Sequence, residues 1–184
     1  MNLTPQIIAA GCGAAPARAA LFAPFIQAAC DHYGIAEPLD AAAFLAQIGH
    51  ESGHLQFTRE LWGPTVAQRA YEPPSPKAIE LGNAEPGDGQ RFLGRGLIQL
   101  TGRANYAIAA VALDLDLLNH PELLEQPEHA AMSAAWFWWN RKLAPIALDG
   151  DFVELTRRIN GGTNGLADRQ ALYAAAKQAL GIAQ

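Results

Sequence analysis

Two carboxylates stand close together in the chain, Glu51 in His50-Glu51-Ser52-Gly53-His54-Leu55 and Glu60 in Arg59-Glu60-Leu61-Trp62. A carboxyl pair suits the cutting of a glycosidic bond. A protonated carboxyl gives its proton to the leaving oxygen, and a carboxylate activates a water or attacks the sugar. Glu51 follows an apolar helical run. A carboxyl on the buried side of a helix end is partly desolvated, which favours its protonated form. Two surface glutamates would give the same pattern. The segment also spells H-E-x-x-H, in which two His one helical turn apart bind zinc and the Glu is the base of a peptidase. That reading needs an unbroken helix through His54, which Gly53 opposes. It also needs a third ligand, and Glu72, Glu80 and His120 stand in no third-ligand pattern. No metal and no cofactor is therefore expected.

A second group runs from Asp88 to Tyr106 and includes Gly94-Arg95-Gly96-Leu97-Ile98-Gln99-Leu100-Thr101-Gly102. Gly-rich turns flank an apolar, strand-like run that would place Gln99 and Thr101 on one face by period-two alternation. With Asn105 and Tyr106 these side chains offer donors and acceptors to a hydroxyl- and amide-rich ligand such as a sugar. The segment lacks the Lys-Ser/Thr ending of a phosphate-binding loop, and a merely polar turn is the plain alternative. Trp62 is a candidate aromatic platform for a sugar face. Trp136-Phe137-Trp138-Trp139 sits in a helical pattern with Met132 and reads as core. Asn160 precedes Gly161-Gly162 after a helical stretch, where taken alone it is a helix cap; Asp168-Arg169 follow.

The elements that must position these residues are helical. Ala is abundant, β-branched runs are scarce, and apolar residues recur at helical spacing. One helix is predicted over Pro16 to Tyr33, ended by Gly34, with Pro24 placed to kink or split it. The next begins after Pro38 with Asp40 as N-cap, and carries Phe44, Leu45 and Ile48 on one face with Glu51 near it. Residues 62–93 read as a Pro- and Gly-rich loop with short helical turns near Thr65 to Ala70 and Lys77 to Leu81; such loops are usually functional or disordered. Further helices are predicted over Arg103 to Leu113, Glu128 to Lys142, Leu155 to Ile159 behind an Asp151/Glu154 capping box, and Ala167 to Leu180.

The bulk properties bound the function. The 184 residues favour one domain over 1–184, with enough chain for a core. A net charge of -5 argues against nucleic-acid partners, and against wholesale electrostatic capture by an anionic wall or membrane. Cys12 and Cys30 are too few for a disulfide framework and read as core thiols. No stretch approaches the roughly 18 apolar residues of a membrane span, and Met1-Asn2-Leu3-Thr4-Pro5 does not read as a secretory signal. A soluble cytoplasmic chain is expected, without stable membrane association, and a monomer by default.

Taken together, the His50-Glu51-Ser52-Gly53 block, the Gly94-to-Tyr106 block, the Trp-Phe-Trp helix and Ile159-Asn160-Gly161-Gly162 followed by Arg169 resemble the family 19 glycoside hydrolases. That family holds plant-type chitinases and endolysins of phages infecting Gram-negative hosts. The resemblance implies an all-α, two-lobed, lysozyme-like domain with a substrate cleft between the lobes, and an inverting reaction. It makes Glu51 the general acid and Glu60 the general base, with Glu72 as fallback. Gln99, Thr101 and Asn105 match positions that orient the nucleophilic water and bind sugar. Asn160 and Arg169 match cleft residues that bind sugar and position the base, Tyr106 would line the cleft, and the H-E-x-x-H match becomes accidental. The wording of the long block resembles the phage-lysin branch. With no signal peptide and no cysteine-rich chitin-binding module read in the sequence, the expectation is an endolysin of peptidoglycan. It would cut β-1,4 bonds between N-acetylmuramic acid and N-acetylglucosamine. It would reside in the host bacterial cytoplasm before lysis and reach the periplasmic wall through a holin-type lesion. A chitinase is the near alternative; a zinc peptidase and a non-catalytic glycan-binding module are the distant ones.

Overall fold

The computed structural model describes residues 1–182. Its helices are α1 (Pro5–Cys12), α2 (Pro16–Tyr33), α3 (Pro38–Glu51), α4 (Val66–Arg69), α5 (Pro76–Leu81), α6 (Asp88–Arg91), α7 (Arg103–Leu113), α8 (Pro127–Asn140), α9 (Ala144–Leu148), α10 (Phe152–Asn160) and α11 (Leu166–Ala179), with a 3₁₀ turn over Pro121–Glu125. Among the described residues there is no strand, only isolated bridges at Arg59–Arg95 and Arg95–Leu100. The all-α class follows from the sequence's helical periodicity.

Two hydrophobic clusters form the lobes, and α8 joins them. The larger gathers Phe22, Ile26, Phe44, Leu45, Ile48 and Trp138 among its members. In it α3 packs on α1 and α11, and α2 packs on α8. The smaller holds Phe92, Leu100, Tyr106, Leu117, Leu124 and Trp136. Trp136 and Trp138 stand about 200° apart around a helix, so one helix can feed both clusters. The Trp run is thus core at two positions, while Trp139 remains exposed. Close helix approach depends on Gly49: a Cβ there would lie 2.6 Å from the Cys12 Cα. Cys12 and Cys30 are both buried and free.

Three local expectations are corrected. Helix α2 runs through Pro24 unbroken. The carbonyl that Pro24 deprives of a donor belongs to Ala20, and both residues are exposed, so water can serve it. Asp40 does not cap α3; Glu37 holds that position without a side-chain bond. Asp40 lies one turn in, buried, and accepts a hydrogen bond from Trp138 Nε1 at 2.9 Å. Residues 95–100 are not a strand but a tight turn. Arg95 and Leu100 exchange both backbone hydrogen bonds, and Gln99 has φ 54°.

Burial pushes the Asp40 carboxyl up to about 6, helped by nearby Glu37 and opposed by the Trp138 hydrogen bond. The native state therefore binds this proton more tightly than the unfolded chain does. Its contribution to stability falls as pH rises from the ordinary value of 3.8 through about 6. Asp40→Asn retains an acceptor for Trp138 and removes the ionisation. It is expected to raise stability by roughly 1–3 kcal/mol at pH 8 and by little at pH 4. Urea unfolding midpoints at the two pH values check this; an equal effect at both would refute it.

Candidate active site

Helix α3 ends at Glu51 because the next residues leave the helical region. Gly53, His54 and Leu55 have φ of 57°, 63° and 62°. Two non-glycine residues in that region are uncommon, and tertiary bonds hold them. The His54 ring meets the Cys12 carbonyl at 2.9 Å, the Ser52 hydroxyl accepts from the Leu55 N–H at 2.9 Å, and Leu55 is fully buried. The break places Glu51 at the helix tip, half-buried. Arg169 of α11 donates from Nη2 to Glu51 Oε1 at 2.5 Å and from Nη1 to Gln47 Oε1. Gln47 is one turn before Glu51 on the same face. The adjoining His50 Nδ1 meets Asp168 Oδ2 at 2.6 Å. Two neighbouring residues of α3 are thus clamped to two neighbouring residues of α11.

Glu60 is held by a different framework. Its N–H donates to the Gly94 carbonyl at 2.8 Å, and its Oε2 accepts from the Gly94 N–H at 3.1 Å. Its Oε1 accepts from Gln68 Nε2 at 2.9 Å. Gln68 also completes a capping box with Thr65 at the start of α4, which fixes the loop around it. Gly94 has no room for a side chain. A Cβ would stand 2.9 Å from Gln99 Oε1 and 3.3 Å from Thr101 Oγ1. Glu60, Gln99 and Thr101 therefore converge on one glycine, which only a residue without Cβ permits.

A cavity of about 360 Å³ is lined by Gln99, Thr101, Asn105 and Asn160, with Phe137 and Ile98 among its apolar walls. Its polar side chains are restrained by their own backbone. Gln99 Nε2 donates to the Gly96 carbonyl, Thr101 Oγ1 to the Gln99 carbonyl, and Asn105 Nδ2 to the Thr101 carbonyl, at 2.7–2.9 Å. Each side chain spends one donor locally, and the side-chain oxygens, with one amide N–H each on Gln99 and Asn105, are left for a ligand. That suits sugar hydroxyls, amide N–H groups and a water that must lose a proton. Glu60 and Trp62 face a second, shallower depression with Gln56 and Gln90. There the Trp62 ring stands 6.4 Å from Tyr71 and tilted 43° to it.

Residues 14–148 match the family model for class I chitinases, glycoside hydrolase family 19. A family 19 domain-containing protein of Haemophilus influenzae is 35% identical over 82% of this chain and 84% of its own length. The chain belongs to glycoside hydrolase family 19. An endochitinase of Arabidopsis thaliana is 36% identical over 67% of the chain, which spans only 40% of that protein. The crystal structure of a bacterial family 19 chitinase superposes with a TM-score of 0.74 over 100% of this chain and 97% of the other, at 23% identity. The fold is the lysozyme-like one of that family, and the protein is a chitinase-like hydrolase of β-1,4 glycans.

Within this family 19 framework some expected roles change. Tyr106 does not line the cleft: it is fully buried, donates to the Leu93 carbonyl at 2.7 Å and accepts from Arg95 Nη1 at 3.1 Å. Burial pushes its phenol up to about 12, against the pull of Arg95, so it keeps the proton it donates. Arg169, 2% exposed, supports the Glu51 carboxyl group and presents almost no surface to a sugar. Glu72, the fallback base, accepts from the N–H groups of Gly87 and Gln90 at the start of α6. The H-E-x-x-H pattern forms no zinc geometry, since the helix stops between the two His. Sequence reasoning missed Gln47 and Gln68. Both had a signal, the i, i+4 spacing to Glu51 and the Thr65-x-x-Gln68 box.

Proposed function

We propose that this family 19 hydrolase is an endolysin that cleaves peptidoglycan at β-1,4 bonds between N-acetylmuramic acid and N-acetylglucosamine, with inversion. The observation that carries the inverting hydrolysis is the mounting of the two carboxylates. Glu51 is anchored to α11 and Glu60 to the Gly94 backbone, so each keeps its own place. Inversion needs such a pair with room for a water between. Glu51 protonates the leaving oxygen. Glu60 takes a proton from water on the opposite face of the sugar, while Gln99 and Thr101 accept its remaining hydrogen bond. Asn105 and Asn160 bind sugar hydroxyl and acetamido groups, and Trp62 offers a ring face. The wording of the Gly94-to-Tyr106 block, which resembles the phage-lysin branch, supports a wall polymer as substrate. In this reading the enzyme works as a monomer without a cofactor. It accumulates in the host bacterial cytoplasm and reaches the periplasmic wall through a holin-type lesion.

The chitinase reading is favoured by the match of residues 14–148 to the class I chitinase model and by the 36% identity to an endochitinase of Arabidopsis thaliana over 67% of the chain. Digestion of purified Gram-negative sacculi, with mass spectrometry of the soluble products, separates the two. Disaccharide muropeptides with a reducing end are expected. Intact sacculi alongside cleaved chitin oligomers would replace the endolysin with a chitinase. Anhydro-sugar ends would replace hydrolysis with transglycosylation.

A further inference from the structure

The chain is acidic overall, with a net charge of -5. The cleft cavity nevertheless brings together Lys77, Arg141 and Arg158 against one carboxylate, Glu80. Two of these cations are already engaged. Lys77 Nζ lies 3.1 Å from Glu80 Oε2, and Arg158 Nε lies 2.8 Å from Glu154 Oε1. Arg141 is exposed and forms no ion pair among the described residues. Its guanidinium lies 4.6 Å from the centroid of the Phe137 ring, itself a wall of the cavity. Its backbone N–H caps α8 by donating to the Phe137 carbonyl at 3.0 Å.

A cation just past a helix C-terminus has a general rationale in the helix dipole, and Lys would serve that purpose as well. The placement over Phe137 is more particular. A guanidinium lying over a ring buries its flat face and leaves N–H groups at its edge, the geometry that grips a carboxylate with two parallel hydrogen bonds. We infer that Arg141 is a specificity residue that binds a carboxylate of the substrate in the cleft. This rests on the endolysin reading. A polymer of N-acetylglucosamine is neutral, whereas peptidoglycan carries carboxylates on the peptides attached to its lactyl groups. Lys77 and Arg158 add favourable potential that is partly spent on their own partners.

The test crosses enzyme with substrate: wild type and Arg141→Gln on native sacculi, and on sacculi whose carboxylates have been converted to amides. On native sacculi Arg141→Gln is expected to lower kcat/KM about tenfold, as for loss of a charge-assisted hydrogen bond, with Arg141→Lys between the two. Amidation is expected to slow the wild type by a similar factor and the Arg141→Gln variant hardly at all. Equal losses for both enzymes on amidation would overturn the role of Arg141. So would an Arg141→Gln rate equal to that of the wild type on native sacculi. Wild type that releases nothing from native sacculi but cleaves chitin oligomers would instead overturn the endolysin reading.

Discussion

Glu51→Gln is expected to lower kcat on glycan by roughly a thousandfold or more, within and above the range ascribed to a positioned general acid. KM should change little, because the amide retains the size of the carboxyl and an oxygen for Arg169. The role can be separated from a general loss of activity by the leaving group. An aryl glycoside that expels an acidic phenol needs little protonation, so Glu51→Gln should recover much of its rate on that substrate. Glu60→Gln should lose roughly a hundredfold or more on both substrates, since water must be activated whatever leaves. Kinetics of the two variants on glycan and aryl substrate decide the assignment. If Glu51→Gln were equally impaired on both, Glu51 would not be the proton donor.

The second large effect is expected at Arg169. It is 2% exposed and reaches Glu51, Gln47 and the Asn164 carbonyl. Arg169→Met removes the cation and leaves Glu51 and Gln47 facing a thioether. Breaking one side of a buried pair costs about 3–5 kcal/mol. Glu51 is 21% exposed and can regain some water, so the lower end applies, about 3 kcal/mol. For a domain of this length that lowers Tm by roughly 6–12 °C. Activity should fall as well, on the order of a hundredfold in kcat with KM held within a few-fold, because the acid is no longer fixed. Calorimetry and steady-state kinetics of Arg169→Met, Arg169→Lys and the double variant Glu51→Gln/Arg169→Met test this together. If Arg169 acts through Glu51, the double variant should be scarcely slower than Glu51→Gln alone. Multiplying effects would make Arg169 a structural residue with no part in positioning the acid.

Much of the helical layout was readable because its signals are local. Pro16 and Gly34 bound α2, and the stretch Arg103 to Leu113 matches α7. Asp151 accepts from the Glu154 N–H at the start of α10. Each depends on the backbone needs of one helix end, written in a few adjacent residues. The helices missed were short. The α6 turn and the α9 turn hold too few residues to show a period. The α1 helix, between Thr4 and Gly13, carried a side-chain cap and a glycine stop that went unread.

The site divides along the same line. The sequence by itself determined which residue types were available: two carboxylates, a Gly-rich block bearing Gln99, Thr101 and Asn105, and an Asn160 ahead of paired glycines. It also determined the family, since those blocks stand in order. Only the tertiary structure decided which of them meet. Period-two alternation was the wrong reason for pairing Gln99 with Thr101; a turn with Gln99 at positive φ brings them to Gly94. Arg169 became the support of Glu51, and Tyr106 a buried post under Leu93. The physical reason is range. A cap or a helical face is set by neighbours within a turn or two. A partner 118 residues away, as Arg169 is from Glu51, is chosen by how α3 and α11 pack, and nothing in the spacing of either segment encodes it.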